Sequence, residues 1–215
     1  MTTKFSIRRL ALFAGLIFVA TARADEMPSA WEGPVKPEHV RPHVEFLASP
    51  KLAGRAGPDA AKAAEYVRRH FEAFRLKPLF ADDSFEQPIP TSGGDASNEA
   101  NGVESQNSPK PPRSTGRNVG AWLEGSDPQL RDEFIVLGAH FDHLGTRNGA
   151  TFRGADDNAS GTAMMLEVAR QLAASPSRPK RSVAFVGFDL EEQLLWGSRW
   201  FVAHPPWPIE KVKLF

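Results

Sequence analysis

Two short apolar runs, separated by a segment with helical periodicity, limit the folds open to this chain more than any other feature of its sequence. Residues 134–139 and 182–188 are both short enough to be buried strands. Residues 159–174 lie between them and place apolar side chains on one helical face, at Ala163, Leu166, Ala169 and Leu172. A strand, a helix and a strand in this order predict a βαβ unit with parallel strands and a right-handed crossover.

Charged and imidazole side chains follow both predicted strands and precede the predicted helix. Because ligands bind outside the carboxyl ends of parallel strands, and the crossover helix begins at the same edge, we expect these three groups to converge. The sequence therefore predicts a site at this edge of the sheet. Its candidate residues are His140, Asp142 and His143 after the first strand, Asp156 and Asp157 before the helix, and Asp189, Glu191 and Glu192 after the second strand.

The residue types at this site indicate a metal. Imidazoles with several carboxylates, in a chain without cysteine, are typical of a hydrolytic divalent metal site, zinc above all. Carboxylates this dense repel one another unless a cation or a shared proton neutralises them. Simpler interpretations stay open for single residues. Asp156 and Asp157 are also favoured by the helix macrodipole, Asp142 is compatible with a surface charge, and His143 with a structural neighbour of the ligands.

Three motifs contain these residues: GAHFDHLG at 138–145, GADDNASG at 154–161 and EEQLLWGSRWF at 191–201. With them the chain resembles the zinc-dependent exopeptidases of the aminopeptidase Y and bacterial leucyl-aminopeptidase type, a family that includes glutaminyl cyclases and transferrin-receptor-like members. The resemblance covers most of residues 40–215. It implies an α/β fold with three α/β/α layers and a mostly parallel, mixed central sheet, incomplete at the C-terminus.

The resemblance also implies ligand roles. His140 would bind the first of two zinc ions and Glu192 the second, while Asp156 would bridge them. The peptide bond between Asp156 and Asp157 would be the family's cis bond. Asp157 and His143 would then be neighbours of the ligands, without a direct bond to the metal.

The resemblance also implies catalytic roles for two further carboxylates. Glu191 would be the general base toward a metal-activated water. Asp142 would accept a hydrogen bond from the other ring nitrogen of His140 and so fix its tautomer. The activity implied is hydrolysis of peptide or protein substrates, as by an aminopeptidase that releases N-terminal residues. A carboxypeptidase, a glutaminyl cyclase, and a non-catalytic interaction protein on the same scaffold are the alternatives.

Residues 1–24 have the pattern of a secretory signal peptide. A basic head precedes an apolar run at 10–20 and a small-residue cleavage signal, Ala22-Arg23-Ala24, and the run is too short for a stable membrane anchor. We therefore expect export to the periplasm or the extracellular medium. Removing the four basic residues of this segment from the balanced 26 basic and 26 acidic residues leaves a net charge of −4. That charge argues against a nucleic-acid partner.

The rest of the chain predicts one partial metallopeptidase domain over 38–215, after an extended, proline-rich lead-in at 25–37. We expect helices at 38–48, 59–74 and 197–203 and strands at 84–90 and 118–123. Residues 91–117 are rich in Gly, Ser, Asn and Pro, which predicts a disordered or mobile insertion. His39 and His43 lie four residues apart without the glutamate of a metalloprotease helix, so we expect them at the surface.

Residues 211–215 are typical of the start of a further strand. The resemblance implies that this strand continues into an aspartate and that a later histidine completes the metal site. Of the five ligands so implied, the sequence supplies three. We therefore expect that the chain is truncated at its C-terminus and that the 215-residue form by itself is inactive.

Overall fold

The computed structural model describes residues 35–90 and 115–215. The predicted signal peptide at 1–24 lies outside these residues, as do most of the lead-in at 25–37 and most of the insertion predicted at 91–117. Among the described residues, no helix combines the length and the apolar character needed to cross a bilayer.

The described residues form four α-helices and eight β-strands. The helices are α1 (Pro37–Leu47), α2 (Pro58–Ala73), α3 (Gly161–Ala174) and α4 (Trp196–Ala203). The strands are β1 (Lys77–Pro78), β2 (Glu86–Ile89), β3 (Gly116–Leu123), β4 (Phe134–His140), β5 (Gly145–Arg147), β6 (Ala150–Phe152), β7 (Ser182–Phe188) and β8 (Val212–Leu214).

Six of these strands form one mixed sheet in the order β1-β3-β7-β4-β8, with β2 also paired to β3, while β5 and β6 form a separate hairpin. The strand β4 runs parallel to both β7 and β8, and β3 runs antiparallel to β7, β1 and β2. The predicted βαβ unit is confirmed: Phe134 lies opposite Ser182 and His140 opposite Phe188 along the parallel pair.

The strand β7 is buried along its whole length and divides the core in two. Val183 and Phe185 belong to a cluster that includes side chains of α1, α2 and α3. Ala184 and Val186 belong to a second cluster with Phe201 of α4. Since neighbouring residues of a strand point to opposite faces, helices cover both faces of the sheet. This confirms an α/β fold with a mixed central sheet, and it explains why the run 182–188 is apolar without alternation.

The structure corrects two expectations outside the site. The strand β3 begins at Gly116, two residues before the predicted start at 118, so residues 116 and 117 do not belong to the insertion. His43 is buried and not at the surface, because its ring lies between α1 and α2 with Nδ1 2.7 Å from the hydroxyl oxygen of Tyr66.

Candidate metal centre

The predicted convergence of the three polar groups is observed. The parallel register of β4 and β7 brings both strands to the same edge of the sheet, and the chain leaves β4 with a hydrogen bond from Phe141 N to the carbonyl oxygen of Phe188, 3.0 Å long. The first turn of α3 lies at the same place, since the hydroxyl of Thr162 donates to the carbonyl oxygen of His140 over 2.8 Å. The loops that carry the candidate residues therefore lie side by side.

His140 forms the first half of the centre. Its Nε2 lies 3.1 Å from Oδ1 of Asp157 and 3.9 Å from Oε2 of Glu191. Its Nδ1 lies 3.6 Å from Oδ1 of Asp142. One ring nitrogen thus faces the carboxylates of the other two loops, and the second faces Asp142, which lies in the same loop as His140.

His143 forms the second half of the centre. Its Nδ1 lies 2.7 Å from Oε1 of Glu192 and 3.7 Å from Oδ2 of Asp157. One ligand atom from each of these three residues lies within 4.8 Å of the other two, a spacing that a single metal ion could span. Asp157 therefore directs one carboxylate oxygen toward each imidazole, and it connects the two halves.

The structure differs from the sequence prediction at the two aspartates. The carboxylate that meets both histidines belongs to Asp157 and not to Asp156, whose carbonyl oxygen accepts a hydrogen bond from the hydroxyl of Ser160. The cis peptide bond joins Asp157 to Asn158, so the prediction of a cis bond between Asp156 and Asp157 was wrong by one residue. The physical reason is local: Asp157 and Asn158 have non-helical dihedral angles, so helical spacing does not govern where these side chains point.

Asp142 has a second contact that the sequence did not indicate. Its Oδ1 accepts a hydrogen bond from the backbone N–H of Glu191 at 3.1 Å, and its Oδ2 accepts one from that of Glu192 at 3.4 Å. Asp142 is buried, and it therefore links the loop of His140 to the turn that presents both glutamates. No local pattern could have predicted this contact, because the two segments lie 49 residues apart in the chain.

Asp189, the first acid after β7, has a structural role. It is buried, and its carboxylate accepts hydrogen bonds from the backbone N–H groups of Arg117 and Leu190 at 3.1 and 2.8 Å. Burial, together with the charge of Asp142, raises the pKa of Asp189 to about 6. Its position therefore fixes the start of β3 against the end of β7 and leaves the glutamates to face the imidazoles.

The charges at the centre shift the pKa values of two of its groups. Burial alone would lower the pKa of His140, but Asp142, Glu191 and Asp157 outweigh it and raise that pKa. Burial also raises the pKa of Glu191, and the neighbouring carboxylates act in the same direction. The raised pKa of His140 reflects a dense group of acids that a bound cation would neutralise.

The donor atoms fit zinc. Two imidazoles and several carboxylates converge from three loops, the ligand atoms of His143, Asp157 and Glu192 share one small space, and the chain contains no cysteine. Nitrogen and oxygen donors of this kind suit zinc in hydrolytic sites. The carboxylate of Asp157 is shared between the two halves of the centre, since its oxygens face different histidines.

Comparison with known sequences agrees with this chemistry. Residues 118–215 match the model of peptidase family M28. The chain is 38% identical over 82 residues to endoplasmic reticulum metallopeptidase 1 of Rattus norvegicus, a match that covers 38% of the chain and 9% of that protein. It is also 38% identical over 72 residues to aminopeptidase YwaD of Bacillus subtilis, covering 34% of the chain and 14% of that protein. The first curated relatives are thus matched over about a tenth of their length.

Solved structures share the fold. A zinc-dependent exopeptidase from Parabacteroides distasonis superposes with a TM-score of 0.56 at 17% identity, over 85% of this chain and 59% of that one. A zinc aminopeptidase from Bacillus subtilis gives a TM-score of 0.51 at 18% identity, over 83% of this chain and 66% of that one. The resemblance drawn from the three motifs is thereby confirmed.

Proposed function

We propose, from the match of residues 118–215 to the model of peptidase family M28, that the protein is a zinc-dependent exopeptidase, an aminopeptidase that hydrolyses N-terminal peptide bonds. The observation that carries the proposal is the position of Asp157, which faces His140 with one oxygen and His143 beside Glu192 with the other. Glu191 lies at the edge of the same group, where it can reach a substrate.

His140 and Asp157 would hold one zinc ion, and Asp157 and Glu192 the other. Asp157 thus takes the bridging role that the sequence had given to Asp156. His143, 2.7 Å from Glu192, would donate a hydrogen bond to that carboxylate and keep it in place. When bound, zinc supplies a more acidic water and polarises the scissile carbonyl group.

The protein's own side chains would then move the protons. Glu191 accepts a proton from the attacking water at its carboxylate and delivers it to the leaving amine. Its pKa is raised by burial and by the neighbouring acids, which brings it closer to the working pH of a general base. Asp142 holds the ring of His140 in one tautomer and fixes the turn of Glu191 through that residue's backbone N–H.

The substitution Glu191→Gln tests this assignment in the full product of the gene, with a chromogenic aminoacyl-anilide as substrate. We expect turnover to fall about 10²–10⁴-fold because proton transfer is lost, with zinc content unchanged. The exposed Glu210→Gln is the matched control and should keep full activity. A Glu191→Gln enzyme with wild-type turnover would contradict the role. A parent protein that binds zinc yet turns over no peptide would favour a non-catalytic interaction protein.

A carboxypeptidase is the second candidate, since a glutamate carboxypeptidase 2 homolog of Caenorhabditis elegans is 38% identical over 90 residues. Peptides with free and with blocked amino termini separate the two activities. An aminopeptidase rejects the blocked peptides, whereas a carboxypeptidase cleaves them and rejects peptides with an amidated C-terminus. A glutaminyl cyclase would instead convert N-terminal glutamine without releasing an amino acid.

We further propose that the 215-residue chain by itself has little peptidase activity. The described residues give the ion at His140 two protein ligands, His140 and Asp157, where a catalytic zinc normally has three. Zinc should therefore bind weakly at this position. Substantial turnover of the anilide substrate by this chain with added zinc would refute the proposal.

Export remains a proposal as well, supported by the basic head, the apolar run and the Ala22-Arg23-Ala24 signal. Mass spectrometry of the protein isolated from its native host should give an N-terminus at Asp25 and place the protein outside the cytoplasm. An intact N-terminus in the cytoplasmic fraction would refute it. The net charge of −4 after cleavage fits peptide or protein substrates and no nucleic-acid partner.

A further inference from the structure

Arg55 is fully buried next to the candidate metal centre, with none of its surface exposed. It lies between α1 and α2, and its guanidinium has five N–H donors, the full number that arginine offers. Each donor meets a backbone carbonyl oxygen. Nε donates to Phe141 at 2.7 Å, Nη1 to Leu47 and Arg153 at 2.7 Å each, and Nη2 to Gly154 at 2.8 Å and Asp157 at 3.4 Å.

These acceptors belong to separate parts of the fold. One lies at the end of α1, one in the loop that carries Asp142 and His143, and three in the segment 153–157 that leads to α3. The backbone beside Arg55 strengthens the link, because the N–H of His143 donates to the carbonyl oxygen of Arg55 at 3.0 Å. One arginine therefore connects the two loops that supply the imidazoles and the shared aspartate.

The neighbouring Gly54 allows the chain to come this close. Its φ is +81°, and its carbonyl oxygen accepts a hydrogen bond from the N–H of Gly145 at 2.9 Å. A β-carbon at Gly54 would lie 2.5 Å from the carbonyl oxygen of Phe152 and 2.8 Å from the backbone of Gly145. Only glycine combines this dihedral angle with this approach, so the turn is built to pack against the loop after β4.

The charge of Arg55 matches its surroundings. Burial lowers the pKa of Arg55, while the carboxylates of Asp142, Asp157 and Glu192 raise it. The guanidinium still stays protonated at physiological pH. The buried cation therefore reduces the mutual repulsion of the acids at the centre, in addition to fixing the backbone that carries them.

We propose that Arg55 is a positioning residue of the metal centre, which holds the loop of His140 and His143 against the loop of Asp157 so that their ligand atoms meet. This inference rests on the zinc site of the proposed function. Lysine cannot take over the role, because its ammonium group has three donors on one atom and cannot reproduce the planar fork that serves five carbonyl groups. The substitution Arg55→Lys therefore keeps the positive charge but removes the planar arrangement of donors, so it tests the hydrogen-bond geometry separately from the charge.

The test compares Arg55→Lys with Arg181→Lys in the full product of the gene. Arg181 pairs with Glu133 through Nε at 2.7 Å, at the opposite end of β7 from the centre, so it is a matched arginine without a link to the metal loops. Zinc affinity is measured by competition with a chromogenic chelator, well below the unfolding temperature and after near-UV circular dichroism has shown a folded protein.

We expect Arg55→Lys to bind zinc about 10–100-fold more weakly than the parent, the usual loss when a residue that supports metal ligands is removed, and Arg181→Lys to bind unchanged. A folded Arg55→Lys with parental affinity would overturn the inference while leaving the zinc site intact. A parent chain that fails to bind zinc would instead refute the proposed function, so the two failures are distinguishable.

If Arg55→Lys does not fold, the unaltered protein decides the question. In ¹⁵N-labelled protein, the Nε–H signal of Arg55 should exchange slowly with solvent because the group is buried and hydrogen-bonded. It should also shift during zinc titration, because the loops it holds carry the ligands. A signal of Arg55 that does not move while zinc binds would overturn the inference.

Discussion

Asp157 is the residue on which the two halves of the metal centre depend. Its side chain is 62% exposed, so the carboxylate lies at the mouth of the site and not in the core. Only a carboxylate offers two equivalent negative oxygens to two ions, and an amide of the same shape offers one neutral oxygen. Asp156 precedes it by one residue and lies in the same exposed turn.

The pair Asp157→Asn and Asp156→Asn tests this difference directly. We expect Asp157→Asn to weaken zinc binding by at least about 100-fold. The loss of a direct ligand should weaken binding at least as much as the loss of a residue that only supports a ligand. Asp156→Asn, the matched control, should bind zinc like the parent chain. Chelator competition in the full product of the gene measures both affinities. An equal loss in the two variants, or a loss in Asp156→Asn alone, would return the bridging role to Asp156.

Sequence alone could not distinguish these two aspartates. Both precede the helix, both are acidic, and both fit the first turn of a helix. The distinction depends on the dihedral angles of Asp157, φ −109° and ψ 98°, which turn its side chain out of the helical arrangement. Such angles arise from the contacts of the whole loop. The sequence therefore located the site to within one residue at this position, and no closer.

His43 makes the stability of the fold depend on pH. Its ring is buried beside Tyr66 and lies 4.9 Å from the ring of His70 on α2, with Glu167 and Arg170 of α3 as the charged neighbours. Burial, with a further contribution from His70, lowers the pKa of His43 from 6.5 to about 4. The unfolded chain therefore binds more protons than the folded one between these values. Stability is complete above pH 6.5 and is lost as the pH falls toward 4.

We expect the free energy of unfolding to fall by about 3 kcal/mol through His43 when the pH is lowered from neutral to 4. Urea denaturation at a series of pH values, for the parent chain and for His43→Asn, measures the effect. Asparagine removes the titration and retains a polar atom near Nδ1, so the loss on acidification should be smaller in the variant by up to this amount. His70, whose pKa burial also lowers, is present in both proteins. Identical pH profiles would contradict the prediction.

The helix α3 shows how an element of this fold derives its stability. Leu166 is fully buried in the cluster between the helices and the sheet, whereas Met164, two residues earlier, is 45% exposed. Because protein interiors are close-packed, removing the Leu166 side chain leaves a cavity as well as losing buried apolar surface.

We therefore expect Leu166→Ala to lower the free energy of unfolding by about 2–5 kcal/mol. Met164→Ala should change it by no more than about 0.5 kcal/mol, since surface substitutions rarely do more. Urea denaturation of both variants at neutral pH gives the comparison. Similar losses in the two would show that α3 does not pack on the sheet through the face that carries Leu166.

The sequence predicted the central elements well because their signals are local. The run of β7 is continuously apolar since the strand is buried on both faces, and α3 carries one apolar face. The start of β3 was missed because Gly116 and Arg117 have little preference for strands. They extend the strand through contacts from elsewhere, namely the pairing of Arg117 with Pro88 and its N–H bond to Asp189.

At the scale of the whole molecule, the location of the site follows from the topology of the sheet, and the sequence predicts that topology. Parallel strands deliver their carboxyl ends to one edge, which predicted the convergence of three polar groups. The side chains that hold the loops of the site together, Arg55 and Asp142, could not be predicted in this way. Arg55 lies 86 residues before Phe141 and Asp142 lies 49 before Glu191, so neither link has a local pattern. Arg55 occurs in the segment KLAGRAGP, among small residues that nothing in the sequence connects to a metal.

If the three loops act as one unit, zinc should order them together. Binding to the folded state alone stabilises it by mass action, about 2.7 kcal/mol at a free zinc concentration 100 times the dissociation constant. Zinc should also slow amide hydrogen exchange in the segments 140–145, 154–158 and 189–193 at once, because the candidate ligands of all three meet around Asp157.

A chelator should reverse both effects, and Asp157→Asn should abolish them. In Asp156→Asn they should persist, which makes this variant the internal control. Hydrogen exchange of the full product of the gene, followed by mass spectrometry, reports each segment separately, so the experiment distinguishes a shared centre from two independent sites. Zinc that protects only the segment of His143 and Glu192, and leaves 140–142 unchanged, would mean that one ion binds there alone. The bridge through Asp157 would then be no part of the metal site.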